Sequence, residues 1–156
     1  MAQSSVNAKM ERAFAGMVGD LRPMTIESYA AEGDVGFGLG VEYGTAAEEQ
    51  VKVYDGGTFA GFAVAAHREI RTHTDGDAFG HEDERAVGVM RQGLVWCPMV
   101  DDEEPAKGGT VYVVDTGDDA GKVRATADDD ADEIEGAEFY GEAQDGLAPV
   151  VVNLPA

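Results

Sequence analysis

A mainly β fold, a small β-barrel or β-sandwich with an N-terminal arm containing a short helix, is what the sequence predicts. Three observations predict it. Glycine at 21 residues beside only 5 prolines, with many short valine-rich runs, suits strands joined by tight turns rather than long helices. The apolar spacing is helical near the start and strictly alternating from residue 35, which marks a change from helix to strand. A length of 156 residues gives one domain with a real core and an appended arm, and would be tight for two.

The elements follow in chain order. Val6, Met10, Ala13, Phe14 and Met17 recur at helical spacing, with Lys9, Glu11 and Arg12 on the other side. A helix over 6–18 is therefore expected, ended by Gly19. Residues 20–29 read as extended, because Pro23 disfavours a helical Arg22. Val35, Phe37, Leu39 and Val41 then share one face of a strand whose other face is bare at Gly36, Gly38 and Gly40, so another backbone or a bulky side chain can lie close. A hairpin is expected from Val51–Tyr54, a turn at 55–57, and Phe59–Ala66. Residues 71–84 are nearly free of apolar side chains and read as an exposed loop. Ala86–Met90, Leu94–Cys97 and Thr110–Asp115 read as three strands, the first two separated by Arg91-Gln92-Gly93. An acidic run at 128–135 leads to Phe139-Tyr140, and Pro149–Leu154 closes the chain. Seven or eight short strands suit a barrel or sandwich.

The formal charge of −20, from 31 acidic against 11 basic residues, argues against a grip on nucleic acid phosphates or an anionic membrane face. Its distribution is uneven. Lys9, Arg12 and Arg22 balance Glu11, Asp20 and Glu27 within residues 1–30, so the whole −20 lies in 31–156. The domain division is accordingly a neutral arm, 1–30, and an acidic β-barrel-like body, 31–156. Four lysines, three isoleucines and abundant aspartate would keep a protein hydrated at high salt, so a halophilic host is one expectation and an ordinary acidic surface the other. Cys97 is alone, which excludes an intrachain disulfide. No stretch approaches ~20 apolar residues and no signal-peptide order opens the chain, so a soluble, unprocessed protein is expected.

Several patterns could carry chemistry. Val113-Val114-Asp115-Thr116-Gly117 resembles the way aspartic proteases present a carboxylate, but Asp118 and Asp119 follow and would disturb a tuned pair; a strand ending in a polar turn is the simpler reading. His73, Asp75, Asp77, His81, Glu82 and Asp83 mix imidazole with carboxylate, yet their spacing is that of no named metal site. Asp115, Asp118 and Asp119, or Asp128–Asp132, have the charge for calcium without the loop pattern and its central glycine. Gly36, Gly38 and Gly40 are too close together for a dinucleotide loop. His67 ends a strand and reads as a rim residue. No catalytic, cofactor-binding or metal residue is assigned, and no cofactor is expected.

The order of these features resembles the structural cement, or capsid decoration, proteins of tailed phages and related viruses. The carrying residues are Gly16–Asp20 with Thr25–Ser28, Val35–Val41, Phe59–Ala63, Val87–Trp96, Pro105–Tyr112, Glu135–Phe139 and Gly146–Val150. Departures are Gly108-Gly109-Thr110, where Gly-Asp is more usual before the strand, and the acidity of 128–135. The resemblance implies a non-enzymatic β-barrel-like virion protein on the outer capsid surface, made in the host cytoplasm. Its partners would be the major capsid protein and itself, as a homotrimer, with neither nucleic acid nor membrane. On this reading the arm contacts the capsid through Met10, Phe14, Met17, Leu21, Met24, Ile26 and Tyr29, and removing residues 1–24 leaves the body folded. An acidic cation- or carbohydrate-binding β domain using the 71–84 loop is the alternative.

Overall fold

The structure, a computed structural model, describes residues 13–66 and 80–155. Within them the secondary structure is all strand: β1 (Thr25–Ala31), β2 (Val35–Gly36), β3 (Gly40–Tyr43), β4 (Gln50–Val53), β5 (Phe59–Ala63), β6 (Gly80–His81), β7 (Ala86–Pro98), β8 (Thr110–Val114), β9 (Val123–Arg124), β10 (Ala131–Phe139) and β11 (Leu147–Asn153). Nine of them form one sheet in the order β1-β4-β3-β5-β7-β11-β10-β8-β9, and β1 also pairs with β7. That second pairing closes β1, β4, β3, β5 and the first half of β7 into a small barrel. The second half of β7 carries β11, β10, β8 and β9, and this layer curls back where Met99 bridges Val123.

The expected mainly β class and small barrel are present. Alternation builds both interiors. Ala31, Val35, Val41, Val51, Ala60, Ala63, Val87 and Val89 fill the closed barrel. Met90, Val95, Cys97, Val111, Val113, Val123, Ile134, Phe139, Ala148, Val150 and Val152 pack in the second cluster with Phe62 and Tyr54. Strand β7 serves both clusters. Burial of each such valine or phenylalanine contributes about 1.5–3 kcal/mol.

Four local readings are corrected. Residues 35–41 are not one strand: Gly38 adopts φ +78°, outside the β region, and breaks the run into β2 and β3. A Cβ on Gly38 would lie within 2.8 Å of Pro98 Cδ, the Gly16 nitrogen and the Trp96 carbonyl oxygen. Strands β4 and β5 do not pair with each other, because β3 lies between them. The connecting turn is fixed instead by Glu42 of β3, whose buried carboxylate accepts from the Asp55 (3.0 Å) and Gly57 (2.6 Å) N–H groups and meets Lys52 Nζ at 3.2 Å. Arg91-Gln92-Gly93 does not interrupt β7: Gly93, at φ +137°, lets the strand bend without ending. Of the expected exposed loop, 71–79 lies outside the described residues, but Gly80 and His81 are buried in β6, paired with β2. His81 donates through Nε2 to the Val64 carbonyl (2.9 Å) and meets Phe37 edge-to-face.

The helix expected over 6–18 falls mostly outside the described residues. Its described part is a turn, with Met17 N–H donating to the Phe14 carbonyl at 3.0 Å, followed by an extended stretch. Gly16, at φ +76°, takes the backbone out of the helical region.

Candidate docking surface

Residues 16–19 form a strap along β7. Gly16 N–H donates to the Trp96 carbonyl (2.8 Å), Trp96 N–H to the Met17 carbonyl (3.0 Å), and Gly19 N–H to the Leu94 carbonyl (2.8 Å). On its other side Gly16 accepts from Ala65 N–H at 2.9 Å, and Val18 packs on the core. The strap is therefore part of the fold, and removing residues 1–24 would strip a bonded edge from β7. Residues 25–30 of the expected arm likewise lie in β1, registered against β7 from Thr25↔Gln92 to Ala30↔Ala86.

The route between strap and β1 follows from hydrogen-bond direction. In a strand, successive residues bond opposite edges. The strap bonds Leu94 and Trp96, on the edge where Gly88 accepts from Val64 just beyond β5. Strand β1 bonds the other edge, which it shares with β11. Residues 20–24 must then cross one face of β7. Gly19 permits the approach, since a Cβ there would collide with the Leu94 side chain.

The crossing segment is stiffened by its own charges. Arg22 grips both carboxylate oxygens of Asp20 at 2.6–2.9 Å, and this bond holds the Asp20 carboxyl below the usual carboxylate range. The Arg22 guanidinium also stands 4.7 Å from the centre of the Tyr140 ring. Lys107 Nζ lies at the same distance from that ring, so two cations share one aromatic.

Large apolar side chains concentrate here. Among the described residues Phe14 (49%), Leu21 (98%), Met24 (39%) and Ile26 (43%) are exposed, with Tyr140 (41%) the only other large one. Of the residues assigned to capsid contact, Met17 and Tyr29 are half-buried, and Met10 lies outside the described residues. Tyr29 is engaged within the body: its hydroxyl donates to Glu27 (2.6 Å), which raises its pKa, and its ring meets Tyr43 edge-to-face. Tyr140 and Lys107 were not singled out from sequence, and Arg22 figured only in the charge count and as the residue before Pro23; an aromatic and a lone lysine at the margins of acidic runs are the signals available there.

Among the described residues, those weighed for catalysis or metal do not gather into a metal-holding group. Asp115 follows β8, its N–H donating to the Asp130 carbonyl at 2.9 Å. Partial desolvation, then the charges of Asp132 and Asp130, push its carboxyl upward. Asp119 is occupied by Lys122 (2.7 Å) and Asp128 by Arg124 (2.8 Å). Among the described residues no three His, Cys, Asp or Glu side chains are grouped to hold a metal; His67, His73, Asp75 and Asp77 lie outside them.

A sequence profile of structural cement proteins (E217 gp24/Pam3 gp6) matches residues 2–153. The chain belongs to the structural cement protein family. As a cement protein it has a structural role in the phage virion, at the capsid, in a family that is structural rather than catalytic. Among solved structures, a chain from "The capsid of Myoviridae Phage XM1" is 19% identical and superposes with a TM-score of 0.75, covering 96% of this chain and 98% of that one. This likeness shows that the fold is shared. The head fiber gp8.5 N base of bacteriophage phi29 is 15% identical over 84% of this cement protein and 95% of its own chain, with a TM-score of 0.44. A search of curated proteins finds no match.

Proposed function

We propose that this cement protein docks on the outer surface of an assembled head through residues 13–26 and bridges neighbouring major capsid subunits, acting without catalysis. One observation carries the reading: four of the five exposed large apolar side chains of the described residues lie between Phe14 and Ile26, in the thirty-residue stretch without net charge, while the remainder carries −20. An apolar, uncharged face is the part that gains from leaving water, and an acidic body is the part that gains from keeping it. The arm therefore faces the shell and the body faces solvent.

The mechanism is linkage. A ligand that binds only the assembled shell stabilises it by mass action, and many copies add their contributions. Self-association as a homotrimer fits the same role, since several arms held together bind with greater avidity than one. The test is co-sedimentation of purified protein with assembled shells. Wild type is expected to pellet with shells but not with unassembled capsid subunits, and a doubly charged arm, Leu21→Asp with Met24→Asp, to stay in the supernatant while remaining folded. Undiminished pelleting of that variant would refute the arm as the contact.

A further inference from the structure

We infer that the outer edge of β1, at Ile26 and Ser28, receives an extended segment of the capsid protein as an added strand; this rests on the docking reading above and names the bonding that would hold it. The edge follows from hydrogen-bond parity. Ala31 N–H donates to the Arg85 carbonyl, on the β7 side, and Ala30 N–H to the Glu49 carbonyl, on the β4 side, both at 2.8 Å. Successive residues of a strand bond opposite sides, and the β1–β7 register is unbroken from Ala30↔Ala86 to Ile26↔Met90. Glu27 and Tyr29 therefore bond β7, while Ile26 and Ser28 turn their N–H and carbonyl groups toward the β4 side. Strand β4 does not reach them. Its pairing with β1 is confined to Ala30↔Gln50 and Ala31↔Val51, and just ahead of it Glu49 N–H is turned back onto the Ala46 carbonyl. Both Ile26 and Ser28 are exposed.

The two ends of the nine-stranded sheet are finished differently. At the β9 end Val123 accepts from Val100 N–H at 3.0 Å and bridges Met99, so that edge is short and covered, a common defence against stray strand pairing. At the β1 end the open residues are an isoleucine and a serine, with neither a charge nor a proline on them. Pro23 and the irregularity between Thr25 and Ile26 bound the open stretch on one side, and Ala30 bounds it on the other. What is left is two N–H and two carbonyl groups in strand geometry, the form in which an edge takes up an extended peptide. Charge and position select the occupant. A second copy pairing antiparallel through the same two residues would set Ile26 opposite Ser28 and Glu27 opposite Glu27, and like charges directly opposite destabilise a strand pair. The capsid protein meets no such conflict, because residues 1–30 carry no net charge. Ile26 is also one of the exposed apolar residues of the arm, and a segment docked on Leu21 and Met24 is led along the chain to this edge.

The experiment exploits the parity. Ser28→Pro removes an N–H that the fold does not use and places the ring where the added strand would lie, and proline is tolerated on an edge at such a position. Its thermal melt should match wild type, while its affinity for assembled shells falls by about tenfold or more. Ser28→Ala keeps the N–H and should bind within about twofold of wild type. Should the proline lower the melt, hydrogen exchange of the wild-type protein decides instead. The amides of Ile26 and Ser28 are expected to exchange fast in free protein and slowly on shells, and those of Glu27 and Tyr29 slowly in both. Undiminished binding of a folded Ser28→Pro, an equal loss in Ser28→Ala, or unchanged exchange at Ile26 and Ser28 on shells overturns the inference. Slow exchange at both in concentrated free protein would put a second copy on the edge and overturns it too. The docking reading is decided separately by Leu21→Asp with Met24→Asp: if that variant loses shells and Ser28→Pro does not, only the added strand is refuted.

Discussion

Replacing Leu21 with serine separates docking from folding more cleanly than any deletion could. The side chain is 98% exposed and stands on the segment that crosses β7, so truncating it removes no intramolecular packing. The expected change in melting temperature is nil. In the proposed contact the same side chain would go from full exposure to burial, and burying a leucine is worth about 1.5–3 kcal/mol. Taking about 2 kcal/mol, the dissociation constant of each arm rises ~30-fold. If several arms act together, the loss per assembly is larger. The assay is a titration of assembled shells with labelled protein, alongside a thermal melt of free protein. Unchanged affinity with an unchanged melt would refute the assignment of Leu21 to the contact. A lowered melt would refute the premise that this side chain is idle in the free protein.

Four further outcomes are expected. Gly38→Ala should destabilise the fold by about 1–3 kcal/mol or more, because a Cβ there meets three groups within 2.8 Å and φ is +78°; urea denaturation measures it. Glu42→Ala frees two backbone N–H donors of the 55–57 turn and should cost about 1–3 kcal/mol, seen as a lowered urea midpoint with unchanged slope. Asp115→Asn should raise the melting temperature at neutral pH. The Asp115 carboxyl has a raised pKa in the fold, so its ionised form opposes folding above that pKa, and the folded state binds the extra proton as pH falls; the gain should fade as the pH is lowered into the carboxylate range, near about pH 4. Finally, the melting temperature should climb from roughly 0.05 M to 2 M salt as screening relieves a charge of −20. A flat salt profile would remove the halophilic reading.

The legible part of this fold is its alternation. Val87, Val89, Val95, Val111, Val113, Val150 and Val152 announce strands because every second side chain must be apolar when one face is buried. What sequence could not supply is partner choice. Nothing in Val51–Ala63 says that β3 lies between β4 and β5, because the turn is held by Glu42, thirteen residues upstream of Asp55, reaching it from β3. Gly38 read as part of a strand and Gly93 as part of a break between strands, yet Gly38 ends a strand where the Gly16 and Trp96 backbone crowds it, and Gly93, facing the Met90 and Met24 side chains, lets one continue. His81 looked solvated amid polar neighbours, but Phe37 and the Val64 carbonyl give it a buried berth. The exposed apolar cluster proposed as the docking surface was legible as apolar residues near the N-terminus. Its architecture was not, since the strap is specified by Ala65, Leu94 and Trp96, far away in the chain.

Strand β7 has a mechanical meaning beyond its place in two cores. The strap that precedes the exposed arm residues is zipped to its second half, and β1, which follows them, to its first. A pull on residues 20–24 from outside is shared between both attachments and enters one continuous thirteen-residue strand. Force then runs along that strand, in shear against rows of hydrogen bonds, rather than peeling one hairpin from an edge. In the proposed bridge the two halves would respond as one rivet, and strain in the shell would pass from subunit to subunit instead of being absorbed by the fastener.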